Sequence, residues 1–526
     1  MIGHSEPSDR LIDIIRGHAA ANPSDEALIF GSERITYDDL VGKTEQCAKA
    51  LIVHGVQPGD RVACYAPPHP LAIITALAAF AIGAVWVGLN PKYKRGELQR
   101  LIQDCQPSVI MAASADGLAE DALQVLSAAL EGATATLVSS SQDPDLPWVN
   151  VDAFLQQGDR LDADCLAERI PADEDERLAA IVYTSGSTGH PKGAMLSEQR
   201  MVRFARTQNE VWPVKTFRSL NYFPINHVGS LIDVTLPTLV AGGTMVILDE
   251  FDPQEALRLM EDEKVTVWGS VPAGFLLQLG QPNFGKFDLS SVELIVWEGA
   301  PLAKDAIAAL SSIHPRLATN YSMTETTGAV TVVKPTNDVD VLSQSVGFPL
   351  KGIDVKLITE DGALAGPGET GEIFVRSPYA MLGYWQRSDE TAQTIDDDGF
   401  IKTGDLGVWH ADGSLGLVGR NKEMYKSGGY NVYPREIETL LESHPAVASA
   451  YIVSIPDRTW DEVGFAFIVP QSDVSAADLT AFLKDHAANF KAPKHFCITA
   501  DLPLLPIGKV DKRALKDRAL TLSGQS

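Results

Sequence analysis

Over the first 300 or so residues, short β-branched runs alternate with amphipathic or Ala-rich stretches. Ser108 to Met111, Ala180 to Tyr183, Thr244 to Leu248 and Val292 to Trp297 are runs of the first kind. Strands separated by helical stretches join most readily by crossovers, so this alternation predicts parallel α/β sheets. From about residue 345 to 418 the texture changes to short strand candidates broken by Gly, Pro and Asp: Val355 to Ile358, Glu372 to Val375, Gly399 to Lys402 and Leu415 to Val418. That is the signature of a small β unit. After Arg420 come two strand candidates, Ala450 to Ile455 and Gly464 to Val469, and two helix candidates, Arg435 to Ser443 and Ala476 to Asn489. These predict a compact α+β domain of about a hundred residues. A length of 526 residues agrees, being too great for a single core.

Leu71 to Leu89 carries no charge and nearly has the length of a bilayer span. It is Ala-rich, however, and Gly83 interrupts it before Val85-Trp86-Val87. A buried helix running into a central strand is the expected structure, with no integral membrane association. The net charge of -26 opposes non-specific binding to nucleic acid, so any polyanionic ligand must be held by local lysines and backbone dipoles. Five scattered cysteines without Cys-x-x-Cys spacing indicate neither a disulfide framework nor a zinc site. The N-terminus has no basic region followed by an apolar one, and a cytoplasmic location is expected.

Residues 183 to 193, Tyr-Thr-Ser-Gly-Ser-Thr-Gly-His-Pro-Lys-Gly, are suited to polyphosphate. Glycines such as Gly186 let successive N–H groups point into one concavity, Thr184, Ser185, Ser187 and Thr188 offer hydroxyls, and Lys192 adds a charge. The apolar run Leu178 to Val182 predicts a buried strand feeding this loop. The spacing departs from the common phosphate-loop pattern, because Pro191 stands at its second glycine and Gly193 at its hydroxyl residue.

Four more clusters carry chemistry. Asn320-Tyr-Ser-Met-Thr-Glu-Thr-Thr-Gly328 offers Thr324 for a phosphate and Glu325 for Mg²⁺, a hard cation that takes oxygen ligands; alone it also suits a Thr-rich turn. Thr403-Gly-Asp405, expected at a turn, supplies a carboxylate able to accept from vicinal ribose hydroxyls. The stretch from Gly419 to Glu438 places Arg420, Lys422 and Lys426 and the pair Gly428-Gly429 ahead of a Pro-initiated helix, which reads as a boundary with an anion-contacting loop or as a plain hairpin. Leu502-Pro-Leu-Leu-Pro-Ile-Gly-Lys509 stiffens a loop that presents one lysine.

In their order along the chain these clusters resemble the adenylate-forming superfamily of acyl-CoA synthetases, nonribosomal adenylation domains and luciferases. Ile35-Thr-Tyr-Asp-Asp-Leu40, Gly83 to Pro91, Gly371 to Pro378 and Gly383-Tyr-Trp385 extend the resemblance over essentially the whole chain. It implies an N-terminal domain over residues 1–420, with two α/β subdomains and a small β-barrel-like subdomain, and a mobile C-terminal α+β domain over 421–526. It also implies ATP and coenzyme A as co-substrates, with a small carboxylic acid activated as its adenylate and passed to a thiol. By resemblance, Thr184, Ser185, Gly186, Ser187, Thr188 and Lys192 hold the phosphates, Thr324 meets the α-phosphate and Glu325 binds Mg²⁺. Asp405 and Arg420 would hold the ribose, and Gly299, Ala300, Pro301, Asn320 and Tyr321 would border the adenine. Lys509 would bridge carboxylate and α-phosphate, Lys422 would be the hinge, Lys426, Gly428 and Gly429 would border the thiol tunnel, and His227 would gate the acyl pocket.

Three positions depart from the usual pattern: Ser322 replaces a common glycine, Glu250 stands where some CoA ligases have a basic residue, and Glu298 occupies a usually small place beside the acyl pocket. A buried carboxylate there must be paired, protonated or turned outward. The expected activity is an AMP-forming acid–CoA ligase for a medium-sized, largely apolar acid. The rival is a stand-alone adenylation enzyme loading a carrier protein, disfavoured because the nearest aspartate, Asp233, lies six residues after His227. A luciferase stands third, and a binding-only module would need neither Glu325 nor Lys509. The acid and the oligomeric state stay open, a homodimer among the options.

Overall fold

The computed structural model describes residues 8–113, 120–130, 134–139, 148–166, 169, 176–184, 191–421, 423–427, 430–487, 489, 491–505 and 509–524. Two large sheets carry the first part of the chain. In one, the strands Arg61–Tyr65, Val85–Leu89, Val109–Ala112 and Thr136–Ser139 run parallel, and Val85–Leu89 pairs in parallel with Leu178–Thr184. In the other, the parallel set is Glu26–Phe30, Thr244–Ile247, Arg218–Asn221, Val267–Ser270, Leu294–Trp297 and Leu317–Met323. Several of their strands, among them Val85–Leu89, Val109–Ala112 and Thr244–Ile247, are buried along their whole length, as strands of a parallel sheet covered on both faces are. Trp86 of the first sheet, and Trp268 and Trp297 of the second, are almost fully buried.

The uncharged stretch from residue 71 divides as expected. Pro70–Ala81 is a helix buried along nearly all its length, Gly83 turns the chain at φ +73, and Val85–Leu89 is a buried strand. No helix among the described residues is long and apolar enough to cross a membrane.

The small β unit is a four-stranded antiparallel sheet ordered Asp354–Ile358, Thr370–Arg376, Ile401–Trp409 and Leu415–Arg420. One local expectation is corrected here. Thr403-Gly-Asp405 lies within the nine-residue strand Ile401–Trp409 rather than at a turn, and Gly404 takes φ +73 without ending it. A glycine reaches that conformation without the steric penalty other residues meet, so the strand continues and Asp405 pairs in register with Arg420.

The C-terminal part builds a separate five-stranded sheet around the hairpin Val447–Asp457 and Asp461–Pro470, with Pro434–Glu442 and Lys512–Leu522 packed on it. Its core, including Ile437, Leu441, Ile452 and Leu483, is distinct from that of the large sheets. Lys512 joins Glu423 at 2.5 Å and Glu438 at 3.2 Å, tying the last helix to the start of this unit.

Candidate active site

The site forms where parallel strands of the second sheet end. Open α/β sheets bind ligands in the crevice beyond the carboxyl ends of their strands, where successive chains diverge. Glu298 follows directly on the strand Leu294–Trp297, Asn320 and Tyr321 lie on Leu317–Met323, and Thr324 opens the 3₁₀ turn Thr324–Thr326 after it.

Beside the first sheet's central strands, Leu178–Thr184 and Lys192–Ser197 are antiparallel strands with Thr184 opposite Lys192, and Thr184 Oγ1 donates to Lys192 O at 3.4 Å. Ser185, Gly186, Ser187 and Thr188 lie outside the described residues. Lys192 Nζ stands 5.1 Å from the centre of the Tyr384 ring, and the Tyr384 hydroxyl donates to Glu325 Oε1 at 2.8 Å. Three polar groups from distant parts of the sequence therefore meet at the mouth of the loop. Burial, then the charge of Glu325, raises the Tyr384 pKa, so its hydroxyl stays a donor. Among the described residues no three His, Cys, Asp or Glu side chains gather as metal ligands. Glu325, with only one of its oxygens engaged by Tyr384, fits a Mg²⁺ held by one carboxylate together with phosphate oxygens and water.

Asp405 is buried and has a partner on each oxygen. Arg420 Nε lies 2.7 Å from Oδ1, and the Tyr321 hydroxyl donates to Oδ2 at 2.7 Å. The Asp405 charge raises the Arg420 pKa further. The carboxylate is thus oriented by fixed donors and keeps acceptor capacity toward the exposed side where Arg420 lies.

Lys509 comes from the C-terminal part into the centre. Its loop is closed by Leu505 N–H donating to Lys509 O at 2.7 Å, and its side chain runs against Gly299. A Cβ built on Gly299, whose φ is +83, would fall 2.8 Å from Lys509 Nζ, so only glycine lets the lysine pass. Ala300 and Pro301 continue this exposed edge. Burial lowers the Lys509 pKa, opposed chiefly by the charge of Glu298. The lysine therefore lies within electrostatic reach of Glu298, Asp405 and Asp233 together.

Glu298, expected beside an acyl pocket, does not turn outward. It hydrogen-bonds Asp233 and Ser322 and accepts from Asn320 Nδ2 at 3.5 Å, while burial raises its pKa and Lys509 lowers it. Asp233 lies in the π-helical turn Gly229–Thr235, a rare form that recurs at functional sites. Burial and then Glu298 push its pKa well up. His227 abuts this turn, its Nδ1 accepting from Gly229 N–H at 3.1 Å. Burial, helped by Lys509, lowers its pKa to about 3, and the ring is neutral. Asp233, Glu298 and Asn320 line a mostly apolar cavity together with Trp212 and Phe223.

Not every expected residue joins this centre. Lys426 is exposed on the strand Tyr425–Ser427, and no contact among the described residues ties it to the Lys509 cluster. Lys422, Gly428 and Gly429 lie outside the described residues. Glu250, at the surface, pairs with Lys92 at 3.2 Å. Sequence reasoning missed Tyr384 as the partner of Glu325, although Gly383-Tyr-Trp385 stood out as a motif. It also missed Asp233 as the partner of Glu298, because no spacing rule links residues 65 apart on different elements.

A family model described as AMP-binding enzyme matches residues 15–385, and one described as AMP-binding enzyme C-terminal domain matches residues 436–509. A feruloyl-CoA synthase from an Amycolatopsis species is 33% identical, covering 95% of this chain and 97% of its own. An indoleacetate–CoA ligase from Aromatoleum aromaticum is 32% identical, with 95% and 96% covered. The crystal structure of ATP-bound MatB from Rhodopseudomonas palustris is similar with a TM-score of 0.84 at 28% identity, covering 97% of this chain and 99% of that one.

Proposed function

The chain belongs to the family of AMP-binding enzymes and is an acid–thiol ligase of the AMP-forming kind, and on that premise we propose how its residues divide the reaction. A carboxylate oxygen attacks the α-phosphorus of ATP, the bond to pyrophosphate breaks, and an acyl-adenylate remains. The thiol of coenzyme A then attacks the acyl carbon, and AMP leaves with the electron pair of the broken C–O bond.

The first step brings two anions together, and Lys509 is the cation suited to lie between them. Its seat against Gly299, between the acyl-side carboxyl pair and the Asp405–Arg420 pair, is the observation that carries this reading. Thr184 and Lys192, with Ser185, Gly186, Ser187 and Thr188 between them, hold the β- and γ-phosphates, and Thr324 meets the α-phosphate. Glu325 would hold a Mg²⁺, which when bound supplies charge neutralisation to the phosphates. Asp405 and Arg420 orient the ribose, with adenine against Gly299 to Pro301 and Asn320 to Tyr321. His227 stays uncharged beside the acyl group. The boundary falls at residues 420 and 421; rotation of the C-terminal domain about Lys422 withdraws Lys509 and brings Lys426, Gly428 and Gly429 to the thiol path. The substrate is a medium-sized acid, and the protein acts in the cytoplasm as a monomer or homodimer.

The test is a panel of carboxylic acids assayed for AMP release with and without coenzyme A. The expected result is acid-dependent AMP release that requires coenzyme A and yields pyrophosphate. Release restored only by a thiol-bearing carrier protein would replace this reading with carrier loading, and ADP as product would end it.

A further inference from the structure

The acyl-side cavity is short of donors. Asn209 Oδ1, Asp233 Oδ2 and Asn320 Oδ1 all belong to residues lining it, all are buried, and none receives a hydrogen bond from a protein donor among the described residues. The asparagine amides cannot easily be turned to trade acceptor for donor. Asn209 Nδ2 is committed to Pro237 O at 2.9 Å, and Asn320 Nδ2 to Glu298 Oε2 at 3.5 Å. The indole N–H of Trp212, the large donor in the cavity wall, is spent on Val333 O at 3.2 Å. Asp233 has only another acid, Glu298, as a side-chain partner.

These acceptors are not scattered. Gln208 Nε2 donates to Asp233 O at 3.0 Å and so joins the helix bearing Asn209 to the π-helical turn bearing Asp233, while Glu298 links Asp233 to Asn320. Asn209, Asp233 and Asn320 thus line one cavity together with apolar side chains such as Leu220 and Phe223. Buried polar groups are nearly always satisfied, and acceptors left open on a cavity are completed by what enters it.

We propose that the acid taken by this site carries a hydrogen-bond donor on its tail, a hydroxyl or an ammonium group, which meets Asp233 with Asn209 or Asn320 beside it. This rests on the ligase reading and narrows its substrate class. A keto, ether or ester oxygen at the same place would face lone pairs with lone pairs, and a plain alkyl tail would leave all three acceptors unpaired. Sites built to hydrogen-bond a substrate O–H or N–H reject the analogue lacking it far more strongly than apolar pockets reject an added group.

The experiment uses matched acids of one length, with hydroxy, amino, methoxy and methyl ends in a straight-chain and an arylpropanoic set. Binding to the full-length enzyme is followed by tryptophan fluorescence, and AMP release with coenzyme A is measured alongside. Hydroxy or amino acids should bind at least about 10-fold more tightly than their methoxy counterparts. Asp233→Asn keeps a carbonyl acceptor, so a hydroxyl preference survives it and an ammonium preference does not, which separates the two sources of the donor. Asp233→Leu should reduce either preference to within about twofold. Should that variant fail to fold by circular dichroism, Asn209→Leu, which leaves the carboxyl pair intact, must lower the preference instead. Equal binding of donor and methoxy acids, failure of the donor acids to bind, or a preference unmoved by these leucine variants overturns the proposal. Tight, donor-selective binding without AMP release would uphold it and count against the ligase reading alone.

Discussion

Glu198 and the Asp233–Glu298 pair are all carboxyl groups taken out of water, but they are answered differently. Glu198, on the helix Glu198–Val211, meets the guanidinium of Arg177, and Leu11 N–H donates to its Oε1 at 2.8 Å. Arg177 itself donates to Phe80 O at 3.2 Å. Every partner is a fixed part of the N-terminal region, and the group serves to pin the first helix, Leu11–Ala21, to the sheet. The Asp233–Glu298 pair has a serine and an asparagine around it, and its nearby cation, Lys509, arrives on a loop of another unit. A charge compensated from within its own domain is architecture. One compensated from a separate unit depends on where that unit stands, which the proposed domain rotation would change.

The largest effect should come from breaking the fixed pair. Arg177→Met leaves Glu198 buried without its cation and should lower stability by about 3–5 kcal/mol, seen as an earlier urea midpoint. Adenylation by the folded fraction should be unchanged, since neither residue touches the site. A comparable loss of turnover in folded protein would mean that Glu198 is coupled to the active centre after all.

Lys509→Ala tests the other kind of compensation. Adenylate formation should fall about 10²–10³-fold, as when a preorganised cation or donor is removed from a transition state, while stability changes little. Conversion of supplied acyl-adenylate and coenzyme A to thioester should persist, because the proposed rotation of the C-terminal domain would withdraw the lysine. Equal losses in both half-reactions, measured by single turnover, would tie Lys509 to one fixed arrangement.

How much of this contrast was legible in the sequence depends on what kind of fact each part is. The sheets and the helix ahead of Val85–Leu89 follow from apolar periodicity, a local property of the chain. Lys509, Glu325 and Asp405 stand out because their motifs are contiguous, and the structure brings Lys509 and Asp405 into one centre and Glu325 to Tyr384 beside Lys192. Thr403-Gly-Asp405 misled as a turn because a glycine signals positive φ without saying whether the strand resumes after it. Glu298 was recognisable as a misfit and Ser322 as a second one. That the two are partners was not, since the hydrogen bond joining them spans the ends of adjacent strands. The two departures from the family pattern explain each other: a hydroxyl replaces hydrogen where a carboxylate replaces a small residue.

Ser322→Ala sharpens the comparison within the pair that Lys509 compensates. Loss of a hydrogen bond to a charged group should lower stability by about 1.5–3 kcal/mol and leave Glu298 easier to protonate. A double cycle with Glu298→Gln should show coupling. Additive effects in thermal unfolding would mean that the hydroxyl finds another partner.

The smallest expected effect concerns His227, which borders the same pair. Its folded pKa of about 3 lies below the ordinary value of 6.5, so between those values the unfolded chain binds the extra proton. Stability must then rise with pH across that window and fall as pH drops through it. Asp233, with its pKa raised, works in the opposite sense: its contribution is present at low pH and is lost as pH rises through its folded value. The two therefore oppose each other, and wild-type protein alone cannot separate them. His227→Gln removes one term and keeps the other. At pH 5.5 the ordinary histidine in the unfolded state weighs against folding by about 1.4 kcal/mol, so relative to its value at pH 7.5 the variant should lose that much less stability than the wild type. Chemical denaturation at the two pH values gives the difference directly. Parallel curves would mean that His227 protonates in the folded protein as readily as in water, and that the acyl side of the site is open to solvent rather than closed around the carboxyl pair.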